Sequence, residues 1–215
     1  MRVKLLYLVF ILLVTAGLSP AREKAPLMEA VTKQDTMKLR ATFNEEDILA
    51  NEYLKKRLKP IQTNFKRINS IRKWSSVKKK NIEGESAEGG EATFYYKDNH
   101  LEKVMARHYG EMGQVLIEYY LLKGRLSFVF EKDYQYNRPM FYDVKAMKES
   151  GDIEAFDFKK SEITETRNYF EKGNLIHIVN SQDCGAPFSE EYTREEEKSI
   201  TEGFERLLKL SQEKE

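Results

Sequence analysis

Thr93-Phe94-Tyr95-Tyr96-Lys97-Asp98-Asn99-His100-Leu101 is the stretch that decides how this chain folds. Thr, Phe and Tyr suit a pleated, half-buried surface, and Lys-Asp-Asn-His breaks the run with residues that tolerate left-handed backbone. The stretch reads as strand, tight turn, strand. Gly110-Glu111-Met112-Gly113 and Lys123-Gly124 are two more turns, which leaves Leu101 to Tyr109, Val115 to Leu122 and Leu126 to Phe130 as successive strands. Upstream, Val77 to Ile82 reaches the first hairpin through a Gly/Glu/Ser turn from Glu83 to Gly90. Strands joined this closely pair antiparallel, because a parallel neighbour needs a crossover of about a dozen residues or more. The expected core is an antiparallel β-meander.

An approximate internal repeat supports this reading. Tyr95-Tyr96 with Leu101, Tyr119-Tyr120 with Leu126 and Tyr169-Phe170 with Leu175 each combine an aromatic pair, a short turn and a leucine. Similar hairpins at such spacing fit one continuous sheet. Phe141-Tyr142, about midway between the second and last copies, reads as a decayed fourth. The stretch from Tyr134 to Lys160, with Pro139 and Gly151-Asp152, is less regular and suits a crossover or a short helix.

Helical periodicity flanks the strands. It begins near Asn44, and Leu54, Leu58, Ile61, Phe65 and Ile68 recur at steps of three and four, in phase through Pro60. At the other end, past the breaker Asp183-Cys184-Gly185-Ala186-Pro187, Thr193 and Glu196 form a capping-box pattern ahead of Ile200, Phe204, Leu207 and Leu208. The expected fold is α+β: an antiparallel meander with N-terminal and C-terminal helices packed on one face.

Residues 44–212 make a single domain on this reading, preceded by a flexible segment over 22–43 and a signal peptide over 1–21. Arg2 and Lys4, the apolar run Leu5 to Val14 and small residues at Ser19 and Ala21 have the layout of an export signal. The run is shorter than the roughly 20 residues a spanning helix needs, so no transmembrane segment is expected after cleavage, and a periplasmic or secreted location is. Cleavage removes two cations and no acid, taking the formal net charge from +1 to about −1. That balance gives no electrostatic basis for nucleic acid or anionic membrane as a partner. Cys184 is the only cysteine, so an intramolecular disulfide and a cysteine zinc site are both excluded.

The chemistry-bearing residues are few. His100 sits in a turn, His108 ends a strand, and both read as surface residues. His177 lies mid-strand, where the repeat places Phe128 in the earlier copy, and is the catalytic candidate together with Glu165. Glu165, Arg167 and Tyr169 alternate along one strand and share a face, where Arg167 suits a carboxylate or phosphate and equally a cross-strand ion pair. Tyr169, Tyr119 and Tyr95 are aromatic candidates for a binding surface. No metal or cofactor is expected, since HExxH, GxSxG and Gly-rich phosphate loops are absent from the sequence.

The stretch Ser161 to Ile178, with Glu165-Thr166-Arg167-Asn168-Tyr169-Phe170 and Gly173-Asn174-Leu175-Ile176, resembles a strand-turn-strand signature in uncharacterised exported (periplasmic) proteins of Bacteroidetes. The hairpin Tyr169 to Leu175 also resembles those of MORN-like repeats. The resemblance implies an envelope location and a sheet scaffold, and brings no catalytic residue with it. The expectation is a non-enzymatic binding or interaction module of the cell envelope, engaging an unknown protein or envelope component through the sheet face or the segment 134–160. Two other classes stand beside it: a metal-assisted or acid-base hydrolase using His177 and Glu165, and a small-ligand or lipid carrier with a cavity between helix and sheet.

Overall fold

The structure, a computed structural model, describes residues 52–182 and 188–213. The export signal, the segment 22–43, the first residues of the N-terminal helical pattern and Cys184 with its flanking breaker lie outside the described residues. Seven strands form one sheet whose order is the chain order: β1 (Ser76–Ile82), β2 (Gly90–Lys97), β3 (His100–Tyr109), β4 (Gly113–Leu122), β5 (Arg125–Gln135), β6 (Glu162–Glu171) and β7 (Asn174–Asn180). Every neighbouring pair is antiparallel. Helices α1 (Glu52–Asn69) and α3 (Glu190–Gln212) flank the meander, and α2 (Val144–Ser150) sits in the β5–β6 crossover. The α+β meander is thus as the pattern of turns implies. No described helix is long and apolar enough to cross a membrane.

The repeat is real and has a mechanical basis. In the β2–β3, β4–β5 and β6–β7 hairpins the central pairs Asp98-Asn99, Lys123-Gly124 and Lys172-Gly173 all have positive φ, the primed turn that matches strand twist. Each hairpin then slips register by one residue, leaving Glu102, Ser127 and Ile176 as the extra residue of a bulge. Tyr96 faces Leu101, Leu121 faces Leu126 and Phe170 faces Leu175 beyond the slip. The middle copy is therefore Tyr120-Leu121, one residue later than Tyr119-Tyr120, and His177 does occupy the position of Phe128. Phe141-Tyr142 forms no hairpin. Asp143 follows it and caps α2 by accepting from the Ala146 N–H, so the chain enters a helix there.

Helix α1 lies across all three hairpins. Arg67 bonds Glu102 of the first, Asn64 donates to the Leu121 carbonyl at 2.8 Å and the Ser127 hydroxyl at 3.1 Å in the second, and Arg57 reaches Glu171 of the third at 2.7 Å. Asn64 thereby satisfies backbone that the bulge removes from the ladder. Pro60 sits inside α1 without ending it.

The terminal helices pack on opposite faces of the sheet, which corrects the expectation of one shared face. Phe65 of α1 packs against Tyr120 and Phe128 with ring centroids 4.9 and 5.4 Å away, whereas Phe204 of α3 packs 5.4 Å from Tyr119. Tyr119 and Tyr120 are neighbours on one strand and point to opposite sides. Residues 118–121 are all buried, so the strand has no water-facing side there and needs cover on both. The crossover completes the α1 side, with Phe158 stacked 5.4 Å from Tyr134 and Phe156 edge-on 5.1 Å from Tyr136.

Helix α3 starts about one turn before the expected cap, since Ser189 accepts from the Tyr192 N–H. It crosses the whole sheet. Glu197 accepts the Leu175 N–H on β7 at 3.1 Å, and at the far end Lys80 on β1 donates to the Glu213 carbonyl at 2.9 Å. Its 23 residues span about 34 Å, enough to cross seven strands at roughly 4.8 Å spacing.

Candidate functional site

Five of the six sequence candidates lie on the α1 face, and four of them form two groups that do not converge. Glu165 is held between Lys132 at 2.8 Å and Arg167 at 2.9 Å, and both cations sit over the Phe130 ring. Tyr169 is fully buried, packed 5.1 Å from Phe128 and 5.6 Å from His177. Glu165 and Tyr169 are four residues apart on β6, so Glu165 lies about 13 Å along the strand from the Tyr169–His177 pair. Acid-base partners work at hydrogen-bond reach, which this pair does not have. Tyr95, also on this face, is half-buried beside Trp74 at 5.3 Å and Lys103 at 5.9 Å. Among the described residues no group of three or more His, Cys, Asp or Glu is placed to hold a metal ion.

Tyr119 is the exception, and it leads to a different place. Under the middle of α3 a cleft of about 220 Å³ remains between helix and sheet. The sheet side presents His108 from β3, Ile117 and Tyr119 from β4 and Glu131 from β5, and the helix side presents Glu196, Ile200, Gly203 and Leu207. Register explains the first set: Ile117 pairs directly with Glu131, and Tyr119 and His108 share their side of the pleat on β4 and β3. Helical periodicity explains the second, because steps of four, three and four put all of them on one face. Arg206 and Glu85 close one end with a 3.0 Å ion pair.

The electrostatics of the cleft are unusual for a core. Burial first, and then the Glu196 and Asp133 charges, push Glu131 up to about 7. Burial also raises Glu196, against a weak 3.5 Å hydrogen bond from the Asn168 amide. Burial lowers His108, more than offsetting Glu85, so the imidazole favours its neutral form. Tyr119 is 3 % exposed and its hydroxyl makes no hydrogen bond among the described residues. Burial and the Glu131 charge push that hydroxyl well above its ordinary value, so it stays a phenol. The result is a phenol, two carboxylates that share a tendency to hold protons, and a neutral imidazole around one small space.

Gly203 keeps the space open. Glycine inside a helix is less stable than alanine by roughly 0.5–1 kcal/mol. A Cβ there would meet the Tyr119 Oη at 3.5 Å and the Arg206 Nη2 at 3.8 Å, both ordinary contacts. Gly203→Ala is therefore expected to stabilise the fold by about 0.5–1 kcal/mol in urea denaturation, and a loss of stability would mean the cleft is tighter than its geometry indicates.

Sequence reading missed this site for identifiable reasons. Glu196 looked like a cap partner of Thr193, whereas the helix starts earlier and turns Glu196 to the sheet. His108 looked like a solvated strand end, and β5 was expected to stop at Phe130 when it continues through Glu131. The usable signal was parity, since Glu131 continues the inward phase of Val129. Comparison with protein-family models, with curated proteins and with solved structures finds no match to this chain.

Proposed function

We propose that the chain is an exported, non-catalytic binding module that holds a small polar ligand between α3 and the sheet. The observation that carries this is Tyr119: a side chain 3 % exposed whose hydroxyl has no hydrogen-bond partner among the described residues and opens onto a cleft that a mid-helix glycine leaves open. A phenol hydroxyl with no protein partner, opening into a small cleft away from bulk water, is a natural anchor for the polar group of a ligand. The cleft is smaller than the roughly 300–1,000 Å³ of drug-sized pockets, and its charged lining disfavours an acyl chain. This supports the carrier or binder class with a compact polar ligand in place of a lipid. The layout of residues 1–21 supports export.

The test is native mass spectrometry of protein expressed with its own first 21 residues and recovered from the periplasm or medium. The expected mass begins at Arg22 and carries a small non-covalent adduct that a Gly203→Met protein, with its side chain in the cleft, lacks. An uncleaved cytoplasmic product would overturn export. Adduct-free spectra for both proteins, or the same adduct on both, would overturn the cleft as the site.

A further inference from the structure

We propose that the cleft under α3 takes a small organic cation, an ammonium or guanidinium on a short aliphatic stem, with its charged end between Glu131, Glu196 and Tyr119. The proposal rests on the reading of the cleft as a ligand site and adds the ligand's charge and shape.

Charge is the first argument. The groups facing Glu131 are Asp133 on its own strand, Tyr119 on β4 and Glu196 and Tyr192 on α3, and none is a cation. Among the described residues Glu131 has no ion-pair or hydrogen-bond partner, and Glu196 has only the Asn168 amide. Arg206, the one cation lining the cleft among the described residues, is engaged by Glu85, and His108 favours its neutral form. A bound cation would supply the missing countercharge in a place where solvent screening is weak.

Hydrogen-bonding polarity is the second argument and is independent of charge. The Asn168 Oδ1 is buried without a hydrogen-bond partner while its amide nitrogen points at Glu196. The Tyr119 oxygen likewise lacks a partner. Asn168 lies behind the lining, and the groups that do face the cleft, two carboxylates and a phenol oxygen, form a set rich in acceptors, which a ligand with several N–H donors complements. Ile117, Ile200 and Leu207 leave an apolar wall for the stem, and the volume of about 220 Å³ equals roughly seven water-sized groups. Glu131 carries its full negative charge only above about pH 7, so cation binding should strengthen as pH rises through that value.

Three probes of one shape and different charge test the class: n-butylammonium, 1-butanol and butyrate, titrated into the full mature chain in phosphate buffer while the Gly203 amide resonance is followed. The expected result is saturable binding of butylammonium at least tenfold tighter than butanol, no saturation by butyrate, and severalfold stronger butylammonium binding at pH 8 than at pH 6. Glu131→Gln should weaken butylammonium at least tenfold at pH 8 and flatten its pH dependence. Equal binding of butanol and butylammonium, or tighter binding of butyrate, would overturn the cation class while leaving the cleft a ligand site. No saturable response to any probe would overturn both.

Discussion

Replacing Glu118 with alanine should destabilise the protein by about 3–5 kcal/mol, the largest loss expected from any single polar side chain here. Glu118 is 3 % exposed on the α1 face of β4. One carboxylate oxygen is paired with the Lys103 ammonium and the other accepts from the Tyr120 hydroxyl at 2.6 Å. Lys103 is itself mostly buried, its ammonium 4.9 Å from the centroid of Tyr120 and 5.9 Å from that of Tyr95. Truncation at Glu118 would leave that cation against ring faces without a countercharge, and would leave the Tyr120 hydroxyl without its best acceptor. Burial and the Glu118 carboxylate both hold that hydroxyl well above its ordinary value, so it stays a donor and cannot escape by ionising.

The size of that loss measures the broken pair, not the worth of the intact one. Lys103→Met with Glu118→Leu removes both charges together and should recover most of the deficit, because an apolar pair of similar volume needs no desolvation. Urea denaturation of the two single mutants and the double mutant gives the coupling directly. A Glu118→Ala loss below about 1 kcal/mol would mean that water reaches Lys103 and that the pair behaves like a surface bridge.

The same strand shows what sequence patterning can and cannot reach. Turns were legible because each rests on one or two residues with distinctive backbone freedom: Asp98-Asn99, Lys123-Gly124 and Lys172-Gly173 mark their hairpins locally. The pairing within each hairpin follows from them, whereas the β5–β6 pairing spans the long crossover after Gln135 and does not. Which face each helix covers was not legible, because Glu118-Tyr119-Tyr120-Leu121 is buried on both sides and carries no alternation to read. The bulges were hidden for a related reason: a one-residue slip changes cross-strand partners without changing composition, and it moved the middle repeat from Tyr119 to Tyr120. The cleft was hidden deeper still. Its residues come from β3, β4, β5 and α3, more than sixty positions apart in places, and each has an innocent local reading. Only Tyr119 was both a candidate and a member, as part of an aromatic pair whose two rings serve opposite faces.

Glu131→Gln should have the opposite sign to Glu118→Ala, raising stability at pH 8 by about 2–3 kcal/mol and leaving it unchanged near pH 4. Both carboxylates are buried in part, yet Glu118 has a cation and Glu131 has none. In the folded protein Glu131 holds its proton up to about pH 7, against an ordinary value of 4.5. Below about 4.5 both states are protonated and glutamine mimics the acid. Between the two values the unfolded chain releases the proton while the folded chain keeps it, so wild-type stability falls as pH rises, and above about 7 the loss is complete. His108 changes stability in the other direction, since a lowered folded value favours the native state once the pH exceeds its unfolded pKa, but it is common to both proteins and drops out of their difference. Urea midpoints of the wild type and Glu131→Gln at pH 4, 6 and 8 check the curve. A constant offset, or a loss of stability at pH 8, would show that Glu131 is solvated or paired. A group that costs the fold stability near neutral pH, while its removal also weakens butylammonium binding, serves binding and not the core.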